Sequence, residues 1–219
     1  ATLPALGTSS HQVSLTVSDA CGNLARKSVT ISGTAATRFA DMQKHWASTY
    51  TTPLNDKGII SGVTANGKTN FLPDQKITRG DFALMTANWL GLDLSRYAGV
   101  SLPYADAASI PKWDENAVKA LYAEGIMQGS KAGDGSLRAN AKASITRAEA
   151  MTILGRILPQ GYPQASLTAF SDAASVPSWS KDYVATLVEL KVVGGSNGKL
   201  DPNASVTRAE VAKMLFTLW

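Results

Sequence analysis

Apolar positions recur along most of this chain at the spacing of a half-buried helix. After Arg208 they fall at Val211, Met214, Leu215, Leu218 and Trp219, and after Arg147 at Ala150, Ile153, Leu154, Ile157 and Leu158. Both runs follow i, i+3, i+4, i+7, i+8, which places one apolar stripe on a helix and predicts amphipathic helices packed on a core. A further helix is expected before each: Val118 and Leu121 match Val184 and Leu187. A third copy has Thr51 and Leu54 at those places, with Pro53 between them. Proline lacks the amide a helix interior needs but is tolerated in a first turn, so this helix is expected to be shortened, kinked or restarted near Pro53. Residues 1–38 have another period. "HQVSLTVSD" and "KSVTISG" alternate apolar and polar residues on either side of "DACGN", which predicts two antiparallel strands and a turn. "GTAATR" then reads as a linker.

The helical pattern is organised as a threefold repeat. Each copy opens with aromatic-x-Asp: Phe39 to Asp41, Tyr104 to Asp106, Phe170 to Asp172. A tryptophan follows each: Trp46, Trp113, Trp179. Then come a glycine turn ("GIISG", "GIMQG", "KVVGG"), a Gly/Asn-rich loop, and a Thr-Arg start of a second helix: "ITRGD", "ITRAE", "VTRAE". The expected boundaries are 1–38 for the strands and linker, then 39–103, 104–169 and 170–219 for the repeats.

The Thr-Arg starts pose a physical question. Thr146 can cap the amide three residues on while Glu149 reaches back to the cap's own amide. Yet Arg79, Arg147 and Arg208 each sit in the first turn, at the positive end of the helix dipole, where a cation is unfavourable by about 0.3–1 kcal/mol. A bound anion would offset that cost, since helix N-terminal amides favour negative charge and a guanidinium can pair bidentately with a carboxylate. Copying a structural salt bridge three times would offset it equally. On the anion reading, Arg147→Ala and Arg208→Ala are each expected to weaken binding while stability stays level or rises, and Arg79→Ala is expected to matter less. Repeat one departs from the others. Val63 stands where Ser130 and Ser196 stand, and Gly80 and Asp81 replace Ala and Glu, so the site around Arg79 is expected to be the most degraded.

Composition narrows the function classes. Of 219 residues, 44% are hydrophobic and 17% charged, which suits a globular chain with a real core. A net charge of +4 leans towards anionic partners, but no dense basic run points to nucleic acid. No apolar stretch is long enough to span a membrane. The first residues, "ATLPALGTSS", lack signal-peptide features and are expected to be an internal cut in a longer protein. Cys21 is alone and forms no internal disulfide; His11 and His45 are too few and isolated for a metal site or acid–base work. No nucleophile motif, metal cluster or phosphate loop is present, so neither catalysis nor a cofactor is expected.

Aromatic-x-Asp, the tryptophan, the glycine turn, the "GKLDPN" loop at 198–203 and Thr-Arg-Ala-Glu together resemble the S-layer homology motif, three times in tandem over roughly 39–219. Residues 1–38 resemble the last hairpin of a bacterial immunoglobulin-like domain. The first resemblance implies a mainly α fold: a pseudo-threefold, three-pronged spindle of helix-loop-helix repeats, preceded here by a β-hairpin. It implies non-covalent anchoring of a bacterial surface protein to cell-wall polysaccharide, commonly pyruvylated, held in grooves between the prongs. The implied ligand contacts are Arg79, Arg147 and Arg208 to an acid group; Trp46, Trp113 and Trp179 as flat faces for sugar rings; Asp41, Asp106 and Asp172 to hydroxyls; Gly62, Gly129 and Gly195 for close approach; and Ser130 and Ser196 as hydroxyl partners. Structural alternatives stand beside these. The tryptophans could be core anchors, the aspartates helix caps, and the glutamates caps alone. Rival functions are a helical scaffold for a protein partner, or an accessory module of a surface glycoside-active enzyme.

Overall fold

A computed structural model describes residues 10–18, 24–32 and 38–219. Strands β1 (Ser10–Ser18) and β2 (Leu24–Ser32) pair antiparallel with Val13 opposite Val29, as the alternating pattern predicts. The turn holding Cys21 and the linker up to residue 37 lie outside the described residues.

The repeats supply six helices: α1 (Ser48–Asp56), α2 (Arg79–Trp89), α3 (Lys112–Ala123), α4 (Arg147–Ile157), α5 (Lys181–Glu189) and α6 (Arg208–Thr217). The loops within repeats one and two carry small hairpins, β3 (Val63–Ala65) with β4 (Lys68–Asn70), and β5 (Ser130–Lys131) with β6 (Leu137–Arg138). The third loop keeps a single bridge, Ser196 to Lys199. Pro53 neither breaks nor restarts α1, which runs through it for nine residues against twelve in α3. The proline falls just beyond the first turn, so only the bond to the Thr49 carbonyl is forgone, and the helix is shortened by its late start, after Trp46.

The prongs are not built within repeats. The second helix of each repeat packs against the first helix of the next, α2 on α3 and α4 on α5, and α6 closes the ring on α1. Tyr50 of α1 meets Phe216 of α6 edge-on at 5.4 Å, tying the last repeat to the first. Every prong therefore depends on two repeats, and one continuous core runs from Phe39 to Leu215. Leu121, Leu154 and Leu187 are fully buried in it, and cutting such a side chain to alanine costs about 2–5 kcal/mol.

The threefold axis is made of backbone. The Ile145 amide donates to the Ile77 carbonyl, Ile77 donates to Val206, and Val206 donates to Ile145, each at 3.1 Å. All three side chains are buried. Just outside this triangle, the first two amides of each second helix donate to the loop of the next repeat. Arg79 and Gly80 bond Ala143 and Ala141, Arg147 and Ala148 bond Ala204 and Pro202, and Arg208 and Ala209 bond Gln75 and Pro73. The third amide goes to the Thr78, Thr146 or Thr207 hydroxyl. A helix leaves its first-turn amides without intrahelical partners. Here the fold uses them to join repeats, so the expectation that they receive an anion is corrected.

Candidate functional site

Three backbone residues, Phe71, Ala139 and Leu200, are each clamped from both sides. The Ala139 amide donates to Asp106 of its own repeat at 2.8 Å, while its carbonyl accepts from Arg79 Nε of the preceding repeat at 2.9 Å. Leu200 is held the same way between Asp172 and Arg147, and Phe71 between Asp41 and Arg208. The second oxygen of each aspartate takes the next amide, of Leu72, Asn140 or Asp201. Those three residues adopt left-handed φ values of 58°, 51° and 50°, a conformation that costs an ordinary residue roughly 1–2 kcal/mol. The paired carboxylate–amide bonds offset that strain. In Asp172, burial pushes the pKa up, but the Leu200 and Asp201 amides outweigh it and hold the carboxyl below its usual value. Asp41, Asp106 and Asp172 thus spend both oxygens on the loop; Asp106 and Asp172 do not cap the short turns that follow them, and Asp41 lies within its own.

The arginines resolve their awkward placement through the neighbouring repeat. Arg79 Nη1 lies 2.8 Å from Glu149 Oε1, and Arg147 Nη1 lies 2.8 Å from Glu210 Oε1. The other oxygen of each glutamate closes the capping box on the Thr146 or Thr207 amide, at 2.9 and 2.8 Å. One carboxylate therefore caps its own helix and neutralises the arginine of the previous repeat. Among the described residues Arg208 has no such partner. Its counterpart is Asp81, one methylene shorter, which turns to the Thr78 hydroxyl instead. Arg208 donates Nη2 to the Ser61 carbonyl and lies 4.7 Å from the Phe71 ring. Burial lowers its pKa, and the charges of Asp81 and Asp41 act against that shift.

Two clefts open beside these arginines, and each draws on all three repeats. The first, about 410 Å³, is lined by Arg79 of repeat one, Gly129, Ser130 and Glu149 of repeat two, and Trp179 of repeat three. The second, about 380 Å³, is lined by Arg147 of repeat two, Gly195, Ser196 and Glu210 of repeat three, and Trp46 of repeat one. The arrangement is cyclic: arginine from one repeat, turn from the next, tryptophan from the one after. Arg208 meets the turn of repeat one through the Ser61 carbonyl, and the same permutation assigns Trp113 of repeat two to this third junction. The degraded turn of repeat one therefore belongs to Arg208, and Arg79 sits with the intact Ser130 and Glu149. The expectation that the Arg79 site is the most degraded is corrected accordingly.

Trp46, Trp113 and Trp179 are 53%, 69% and 55% exposed, which removes the core-anchor reading. The glycines answer to the protein itself. A Cβ on Gly129 would lie 2.6 Å from the Tyr104 ring, and one on Gly195 would lie 2.7 Å from the Phe170 ring. Gly62 meets Phe39 and the Asn70 carbonyl in the same way. Several lining cations were not singled out from the sequence: Lys131 and Arg156 in the first cleft, Lys76 and Lys213 in the second. Arg156 and Lys213 follow their Thr-Arg starts by nine and five residues on α4 and α6, but nothing in that spacing says which side of a prong they reach.

Six short helices paired across a threefold ring, with mixed cationic and aromatic clefts at the junctions, define a helical-repeat binding module. The S-layer homology domain pattern matches residues 38–83, 103–151 and 169–212, and the chain belongs to that family. It is 32% identical over 186 residues to an amylopullulanase of Thermoanaerobacterium thermosulfurigenes, covering 82% of this chain and 9% of the relative. It is 34% identical over 163 residues to the surface-layer 125 kDa protein of Lysinibacillus sphaericus, covering 73% of this chain and 13% of the relative. It is 30% identical over 186 residues to the exoglucanase XynX of Acetivibrio thermocellus, covering 82% and 16%. The chain thus spans between 9% and 16% of the length of these three relatives. Such domains are binding modules that anchor proteins at the cell surface, not catalytic units. Among the described residues no helix is long and apolar enough to cross a membrane.

Proposed function

We propose that this module anchors its parent protein by holding an anionic, pyruvate-bearing cell-wall polysaccharide in the clefts beside Arg79 and Arg147. The observation that carries this reading is the composition of the first cleft. Arg79, Lys131 and Arg156 face a single acid, Glu149, next to the exposed indole of Trp179. Three cations against one anion favour a ligand carboxylate, and a solvent-facing ring offers an apolar face to a sugar. Within the described residues, Nε and Nη1 of Arg79 are committed to Ala139 and Glu149, and Nη2 enters neither bond. Ser130 and Ser196 add hydroxyls at the turn of each cleft.

The third junction is expected to bind weakly. It has Val63 in place of serine, and Arg208 already donates to Ser61. The parent protein is either an S-layer subunit or a surface enzyme; the anchoring chemistry is the same for both. The test is co-sedimentation with purified cell-wall sacculi, before and after chemical removal of the secondary polysaccharide. Binding that disappears with the polysaccharide supports the reading. Binding that survives on bare peptidoglycan overturns it.

A further inference from the structure

Trp179 also lines a third cavity, of about 410 Å³. Its size falls in the range of small-ligand sites, roughly 300–1,000 Å³. It is formed by the connection between repeats two and three, "PQGYPQ" at 159–164, folded over α4 and the start of α5. Trp179 lines this cavity and the Arg79 cleft, so the same indole borders both. A second contact joins the residues that line the two spaces. Arg156, which lines the Arg79 cleft, stacks over the ring of Tyr183, which lines the new cavity, at 5.9 Å. The Tyr183 ring is fixed against α4 because residue 155 is glycine; a Cβ there would sit 2.6 Å from Tyr183 Cδ1.

The chemistry of the two spaces differs. The Arg79 cleft carries three cations and one anion. The new cavity has one charged residue, Asp182, with the amides of Gln160 and Gln164 and the 40%-exposed ring of Tyr162. An acid group would be repelled there. Amide and carboxylate acceptors beside aromatic rings suit hydroxyl, acetamido or amine groups on a sugar with one apolar face.

We propose that this cavity is a second saccharide subsite, taking the uncharged or amine-bearing sugar that adjoins the acid-bearing one in the Arg79 cleft, with Trp179 bridging the two. The proposal rests on the wall-polysaccharide reading above. It makes the module a reader of polymer length as well as of charge, because the second contact becomes intramolecular once the acid-bearing sugar is seated.

The test uses polysaccharide released from purified sacculi, size-fractionated into single acid-bearing sugars and fragments of two or more sugars, and titrated into the whole chain by calorimetry. The unmodified chain should bind the longer fragments roughly tenfold or more tighter than the single sugar. Tyr162→Ala and Gln164→Ala should each remove most of that gain while leaving single-sugar affinity unchanged. A length gain that persists in both variants, or is absent from the unmodified chain, overturns the subsite. Failure of the unmodified chain to bind either fraction overturns the wall-polysaccharide reading itself.

Discussion

Glu149 reaches in two directions at once: Oε2 accepts from the Thr146 amide of its own helix, and Oε1 lies 2.8 Å from Arg79 Nη1 of the preceding repeat. The Arg79 side chain is only 5% exposed and the glutamate 25%. The arginine is therefore part of the join between repeats as well as of the cleft. The same pairing at Arg147 and Glu210 argues against the sequence-based expectation that Arg147→Ala leaves stability level or raises it. Arg79→Ala should destabilise the fold by about 3 kcal/mol, the low end of the cost of breaking a buried ion pair from one side, because Glu149 stays a quarter exposed and keeps the Thr146 amide. Arg208→Ala, with carbonyl partners and no carboxylate, should cost less, about 1.5–3 kcal/mol. Chemical denaturation of the two variants would give the order, and equal losses would count against the asymmetry described here.

Asp81→Glu should repair repeat one. The longer side chain can reach the Thr78 amide and approach Arg208, as Glu149 and Glu210 do at the other junctions. A completed cap is worth about 0.5–2 kcal/mol, so the variant should melt higher. A lower melting temperature would show that the third junction is built differently from the other two.

Gly80 and Asp114 form a matched pair. A Cβ on Gly80 would come within 2.3 Å of Asp114 Oδ2. The equivalent positions hold Ala148 and Ala209 on the second helices, and Ser180 and Ala47 after the tryptophans, all buried. Gly80→Ala alone should destabilise despite the gain of about 0.5–1 kcal/mol that alanine brings to a helix. In an Asp114→Ser background the same change should stabilise. A double-mutant cycle in which the two substitutions simply add would contradict the pairing.

Asp114 also sets a pH dependence. It is buried, its Oδ1 has no hydrogen-bond partner among the described residues, and burial followed by the nearby charge of Asp81 raises its pKa to about 7. In the unfolded chain it titrates near 3.8. Between these values the folded state holds a proton that the unfolded state has released, so stability falls as pH rises from about 4 to 7 and levels off above. Asp172 has the opposite sign: its pKa is lowered, so its contribution is present above its usual value and is lost only in stronger acid. Asp114→Asn should flatten the decline between pH 5 and pH 7 and raise the melting temperature at pH 8. An unchanged slope would show that another group controls it.

The threefold repeat, the threonine cap at Thr146 and the departure at Asp81 were legible in the chain, because each depends on short motifs of residues within a few positions of one another. The threading of the ring was not. Arg79 pairs with a glutamate seventy positions later, and Arg208 returns to a carbonyl at residue 71. Periodicity within a repeat carries no information about which neighbour a prong joins. Nor could the sequence tell what Asp106 holds, since its partners are backbone amides of Ala139 and Asn140, residues with no common side chain among the repeats. The placement of Trp46 and Trp179 depended on the same threading, as each lies in a cleft whose arginine belongs to another repeat.

On the proposed function, ligand is held in the clefts of Arg79 and Arg147, each faced by a tryptophan from a third repeat. The most direct measurement is the affinity of released wall polysaccharide for Trp46→Ala/Trp179→Ala and for Trp113→Ala, with melting temperature recorded on the same samples. These side chains are more than half exposed, so all variants should melt close to the parent. The double variant should lose nearly all binding, and Trp113→Ala, at the junction of Val63 and Asp81, should keep most of it. Binding that survives the double change, or is lost instead with Trp113, would contradict the account.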